Sequence, residues 1–122
     1  MKKHWLKLVN PPKVSLNEWY GGKHWSERSK LKNNYQWIVF EAFKELRENK
    51  INEPCAVTYN FIWGKSSRPL DASNCVAMVK LIEDQIFKSD APHIVTQLTI
   101  ASIKNKFQKE NLIVDILIQC IQ

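Results

Sequence analysis

Two runs constrain the fold most. Residues 55–63 (Cys-Ala-Val-Thr-Tyr-Asn-Phe-Ile-Trp) are rich in β-branched and aromatic side chains, and residues 111–121 are almost as apolar. Runs of that length and type predict strands. Elsewhere the period changes. Apolar residues at 31, 35, 38, 39, 42, 43 and 46 predict a helix from about Ser26 to Asn49, with Ser26 or Ser29 at its start. A second helix is predicted from about Ser73 to Phe87. Residues 5–9 read as a short first strand ended by Pro11-Pro12, and 10–24 as a long loop holding Gly21-Gly22. Residues 93–103 read as a further strand, with Lys104-Asn105-Lys106 as its hairpin connection to the last. The predicted order is β-α-β-α-β-β. This is an α/β (α+β) class chain, a small mixed sheet packed by two main helices. At 122 residues it reads as a single domain, 1–122, long enough to bury a core without disulfides or a structural metal.

Charge is uneven along the chain. Residues 1–32 hold eight Lys/Arg (Lys2, Lys3, Lys7, Lys13, Lys23, Arg28, Lys30, Lys32) against Glu18 and Glu27, which accounts for the whole net charge of +6. One-ended basicity points to a polyanionic partner. Nucleic acid is favoured over a membrane, because no basic helix with a bulky apolar face opens the chain. No apolar run approaches the ~18 residues of a transmembrane span. Met1-Lys2-Lys3-His4-Trp5 has charge without a following apolar region, so no signal peptide is expected. Cys55, Cys75 and Cys120 lack metal-ligand spacing and read as reduced, mostly buried thiols, which suits a cytoplasmic protein.

The acids are placed as tellingly as the bases. From Pro54 to Lys109 there are four carboxylates, Asp71, Glu83, Asp84 and Asp90, all within twenty residues. On a chain that attracts polyanions, such a cluster suggests a divalent metal site for phosphodiester hydrolysis. An equally ordinary reading is a helix with a solvated acidic face. On the second helix, Ser73, Ala77, Lys80 and Asp84 share one stripe, and Lys80 and Asp84 stand at i,i+4. A chain that folds back after this helix brings Asp71, Asp84 and Asp90 together, with Lys80 beside them to balance phosphate charge.

The segment 17–32 interleaves bases and aromatics around Gly21-Gly22. Lys23, Arg28, Lys30 and Lys32 can grip phosphates, while Trp19, Tyr20 or Trp25 can stack on bases. With five Trp in the chain, some of these rings must instead be core. Gly64-Lys65-Ser66 imitates the end of a phosphate-binding loop, but the earlier glycine that such a loop needs is Tyr59, which excludes nucleotide hydrolysis on this motif.

Three stretches carry a resemblance. Tyr20-Gly-Gly-Lys-His-Trp-Ser-Glu-Arg28 looks like the early motif of RusA-type endodeoxyribonucleases, the small phage-type Holliday-junction resolvases. Residues 68–84, Arg-Pro-Leu-Asp-Ala-Ser-Asn through Lys80 to Asp84, are similar to their central motif. Ser89-Asp90-Ala-Pro-His-Ile-Val95 resembles their acidic turn. The resemblance implies a homodimeric, Mg²⁺-dependent enzyme, for which Mn²⁺ can substitute, that cuts branched double-stranded DNA. It implies Asp71 and Asp90 as catalytic metal ligands, Asp84 as a third ligand or outer partner, and Lys80 as the charge-stabilising lysine. Lys23, His24, Arg28, Lys30, Lys32, Lys65 and Arg68 are then the DNA contacts. Ser73 and Ser89 stand where the family carries acids, and the link from Asp84 to Asp90 is shorter. The alternative expectation is therefore a non-catalytic DNA-binding protein of the same fold that has lost its metal site.

Overall fold

A computed structural model describes residues 2–21, 25–88 and 94–120. The elements run β1 (Lys3–Val9), α1 (Leu16–Tyr20), α2 (Trp25–Ala42), a 3₁₀ turn (Lys44–Arg47), β2 (Cys55–Trp63), a second 3₁₀ turn (Ala72–Cys75), α3 (Val76–Ile86), β3 (Val95–Lys104) and β4 (Leu112–Cys120). The class is α+β, with one mixed four-stranded sheet in the order β1-β4-β2-β3.

Strand β2 is the axis. It pairs antiparallel with β4 and parallel with β3, with α3 lying in the crossover between the parallel strands. Its alternate residues Val57, Tyr59, Phe61 and Trp63 are buried, and so are Val114, Ile116 and Ile118 of β4 and Leu6 and Leu8 of β1. Period-two patterning thus places one face of every inner strand in the core. Helix α3 contributes Ala77, Met78, Val79, Leu81, Ile82 and Ile86. Helix α2 contributes Tyr35 and Val39, with Leu31, Ile38 and Phe40 packed around them.

The other face of the sheet presents rows of mixed character. They read Trp5–Leu117–Thr58–Thr99, then Lys7–Asp115–Asn60–Ala101, then Val9–Ile113–Ile62–Ile103.

Three features depart from expectation. The stretch expected to be a loop contains α1, held by a capping box. The Ser15 hydroxyl accepts from the Glu18 N–H, and the Glu18 carboxylate accepts from the Ser15 N–H. Such a cap is worth about 1 kcal/mol. The first long helix stops at Ala42. Phe43 leaves helical geometry (φ −147°, ψ 87°) and meets His4 edge-on, and the chain continues as a 3₁₀ turn that buries Leu46.

The third departure is topological. β3 and β4 form no hairpin, because β2 lies between them. The crossover through α3 sets β3 parallel on one edge of β2 and leaves the opposite edge to β4.

Candidate nucleic-acid interface

The carboxyl ends of β2 and β3 lie side by side, and the two loops that leave them are tied together. Gly64 N–H donates to Asn111 O and Lys65 N–H to Gln108 O, both at 3.0 Å. The Lys104 ammonium donates to the carbonyls of Lys65 (3.2 Å) and Ser67 (2.6 Å). Gly64 is required at this joint. A Cβ there would lie 1.9 Å from Glu110 O and 3.0 Å from Gln108 O, so no side chain fits.

The loop after β1 comes to the same place. Tyr35 donates from its hydroxyl to Pro12 O and anchors the Pro11-Pro12 segment against α2. Lys13 donates to Arg68 O at 2.6 Å and lies 5.3 Å from the centre of the Trp63 ring. Trp63 is fully buried, donating to Ser102 Oγ, whose hydroxyl donates in turn to Leu70 O. Asn10, Pro11, Lys13, Ser67, Arg68 and Asn111 are among the residues lining a cleft of about 400 Å³ floored by Trp63.

Three loops distant in sequence therefore gather Lys13, Lys65, Arg68, Lys104, Lys106 and Lys109 at one end of the sheet, against Asp71 and Glu110. Such an end concentrates positive potential where backbone N–H groups and small side chains leave room for phosphates. Of the sequence-derived contacts, Lys65 and Arg68 lie here. Lys13, Lys104, Lys106 and Lys109 escape sequence reasoning. For the last three the one available signal is their closeness, three lysines within six residues in a segment that reads as a hairpin turn.

The other expected contacts are distributed differently. Lys23 and His24 lie outside the described residues. Arg28 is half-buried. It stacks over the Trp19 ring at 5.0 Å and donates to Trp19 O, while its Nε has no partner among the described residues. Its guanidinium thus clamps α2 to α1, and Trp19 is packed against the core. Lys30 and Lys32 are exposed on α2, as are Tyr20 and Trp25 beside it.

Asp71 stands at the basic end. It precedes the 3₁₀ turn with extended backbone (φ −61°, ψ 152°), and its side chain makes no capping bond, so the exposed carboxylate is not consumed by the helix start. The Asn74 N–H donates to Asp71 O at 2.9 Å. Cys75 is buried behind this turn. Burial raises its thiol to about 11 and the Asp71 charge adds to the rise, while a bond with Ser102 opposes it.

Asp84 lies at the other end of α3. Four 3₁₀ residues at ~2 Å and nine helical ones at ~1.5 Å separate it from Asp71 by about 20 Å. Ligands of one Mg²⁺ lie at ~2.1 Å from the ion, so a single chain does not bring these two carboxylates to one ion. Lys50 donates to Asp84 O at 2.8 Å, which fixes that end of α3 near the start of β2. Asp90 lies outside the described residues. The residues bracketing it, Lys88 and Ile94, bond Ile51 O and the Cys55 N–H, also at the start of β2.

Lys80 is exposed midway along α3. Its charge acts on Glu83. Burial raises the Glu83 carboxyl and Asp84 adds to the rise, while Lys80 and the Tyr59 hydroxyl, which donates to it at 3.2 Å, lower it. Among the described residues no group of three His, Cys, Asp or Glu is placed to hold a metal ion. No described helix is long and apolar enough to cross a membrane. No protein-family model matches the chain, and no curated protein matches it at a significant level.

Proposed function

We propose that this chain binds branched DNA at the carboxyl end of β2 and β3 and, like the RusA-type enzymes it resembles, hydrolyses phosphodiesters there with Mg²⁺. One observation carries the binding half: six cationic side chains from three separate loops converge on one end of the sheet, around an uncommitted Asp71 carboxylate. The cleavage half rests on the three motif resemblances.

Mg²⁺ sites in phosphate chemistry commonly use one or two protein carboxylates and complete their shell with water and substrate phosphate. Asp71 beside a phosphate-binding surface suits that donor set. When bound, the ion supplies charge to the scissile phosphate and acidity to water. The chain's own contribution is positional. Lys65, Arg68 and Lys106 would neutralise flanking phosphates, Asp71 would help to hold the ion, and the hydrogen-bonded loops keep these groups in place. Asp90, the second ligand that the resemblance implies, lies outside the described residues, and the described residues that flank it, Lys88 and Ile94, bond at the start of β2, the opposite end from Asp71. Lys80 is the charge-stabilising lysine of that resemblance, and a homodimer would present two such surfaces to opposite strands.

The second reading is a DNA-binding protein without cleavage. The separation of Asp71 from Asp84 favours it, since the third ligand that the resemblance implies is then out of reach. Incubation of a synthetic four-way junction with Mg²⁺ or Mn²⁺ decides between them. Paired nicks that disappear in Asp71→Asn support the nuclease. Salt-sensitive junction binding without cleavage under either ion selects the second reading, and no binding at low salt sinks both.

A further inference from the structure

The loop after β3, residues 105–111, is built to hold one aromatic ring in the open. Asn105 N–H donates to Trp63 O at 2.8 Å, the Phe107 N–H donates to Asn105 Oδ1 at 3.0 Å, and the Gln108 N–H returns to Asn105 O at 3.1 Å. The Gln108 side chain is buried at the base of the loop and donates to Ile62 O and Glu110 O. A buried, doubly bonded amide beneath the loop restrains its backbone. Phe107 stands at its tip and is 83% exposed. A rigidly mounted ring loses little conformational entropy when a partner arrives.

The surroundings of that ring define the partner. Phe107, Ile62 and Ile103 wall an open hollow of about 500 Å³, lined also by Lys104, Asn105 and Lys106. Ile62 and Ile103 are register partners on the sheet face opposite the core, and Ile103 is 54% exposed. The Lys106 ammonium lies 5.4 Å from the centre of the Phe107 ring, and Lys109 follows two residues on. An apolar protein partner would gain the three apolar walls but would have to desolvate the ammonium groups around them. A nucleotide matches both parts, a flat apolar base for the hollow and phosphates for its rim.

Building on the DNA-binding reading above, we propose that this hollow is a nucleobase site, in which an unpaired base stacks on Phe107 between Ile62 and Ile103 while Lys106 and Lys109 hold the flanking phosphates. Its walls offer few hydrogen-bonding groups, so it accepts bases without sequence preference and selects strands whose bases are already unpaired. That requirement distinguishes single-stranded DNA, or branched DNA with unpaired bases at its branch point, from a closed duplex.

The test uses the full chain and a DNA junction carrying 2-aminopurine at the unpaired branch point, beside a fully paired duplex of the same length. The wild-type protein is expected to quench the probe on binding. Phe107→Ala is expected to lose about tenfold in affinity for the junction, with unchanged duplex affinity and unchanged salt slope. Phe107→Trp should restore both affinity and quenching. Because Phe107 is exposed, thermal melting should not distinguish these variants from wild type. Salt-dependent binding in which Phe107→Ala matches wild type in affinity and quenching overturns the base site and leaves the phosphate surface standing. Absence of any nucleic-acid binding by the wild type removes the underlying reading as well. If light scattering shows that Phe107→Ala dissociates a dimer without altering junction affinity, the hollow is a contact between copies and the proposal fails.

Discussion

The two ends of β2 put charge to opposite uses. At the carboxyl end, loops from residues 10–14, 64–71 and 104–111 converge, and Lys13 and Lys104 spend their ammonium groups on carbonyls that lock those loops together. Towards the amino end, carboxylates and thiols sit partly inside the protein. Glu83 is raised by burial, and Cys55 and Cys120 face each other across β2 and β4 with sulfurs 3.2 Å apart. One end is a solvated, positively charged platform and the other is a low-dielectric seam. The difference teaches that linear charge is a poor guide to surface charge. The net +6 sits wholly within residues 1–32, yet Arg28 is used to clamp two helices, and the cationic platform draws mostly on the balanced remainder of the chain.

The strongest way to break this contrast is Gly64→Ala. Its Cβ collides with the backbone of Glu110, so the joint between the two loops must open. The expected cost is on the order of 3 kcal/mol in chemical denaturation, together with loss of nucleic-acid binding. A variant as stable as wild type would show that the joint is not fixed as described.

Charge reversal sharpens the same contrast without strain. Lys65→Glu with Lys106→Glu and Lys109→Glu should weaken DNA binding by more than about a hundredfold. It should also flatten the dependence of log K on log salt by about 0.9 for each phosphate that the variant no longer neutralises. Lys30→Glu with Lys32→Glu on α2 should change affinity by a smaller factor. Equal effects from the two sets would place the phosphate surface across α2 as well.

Arg28→Ala is expected to cost about 1 kcal/mol of stability through poorer packing and the absence of one hydrogen bond. Its affinity for DNA should hold within a factor of about two. A large fall in affinity with unchanged stability would return Arg28 to the role of a phosphate contact.

The sequence is informative where one side chain settles one local choice. The run 55–63 coincides with β2, because β-branched and aromatic residues fill a central strand on both faces. The run 111–121 contains β4, with Asn111 before the strand and residue 121 outside the described residues. Helix α1 is hidden by its neighbours. Ser15-Leu16-Asn17-Glu18 is a capping-box pattern, but Pro11-Pro12 before it and Gly21-Gly22 after it read as loop. The false hairpin arises because strand order is not a local property. The polar run Thr96, Gln97 and Thr99 on β3 is the available sign of an edge strand, and it is exposed in the fold.

The candidate site divides the same way. Lys65, Arg68 and Asp71 are legible because they are close in sequence. Lys13 and the 104–109 lysines become their neighbours only through the crossover. The expected convergence of Asp71 with Asp84 fails for the converse reason, since nearness along a helix becomes distance once the helix is extended.

The subtlest test lies towards the amino end and concerns Glu83. Burial is the main cause that raises its carboxyl above the ordinary glutamate value, and Asp84 adds to the rise against Tyr59 and Lys80. A carboxyl that binds its proton more tightly folded than unfolded favours folding fully below its unfolded value, and that contribution fades as pH rises through the folded one. At neutral pH the chain therefore bears a partly desolvated charge. Glu83→Gln removes that charge and keeps an oxygen to accept from the Tyr59 hydroxyl, so its melting midpoint at pH 7 should exceed that of wild type. The gap should narrow as the pH falls, because wild-type Glu83 takes up its proton above the ordinary glutamate value. Glu83→Leu should behave differently, because it strands the buried Tyr59 hydroxyl and destabilises at every pH. If Glu83→Gln instead lowers the midpoint at pH 7, the charge is stabilised there by Lys80 and Tyr59 more than burial opposes it. The amino end would then be an ionic network, and the contrast with the carboxyl end would be one of sign rather than of dielectric.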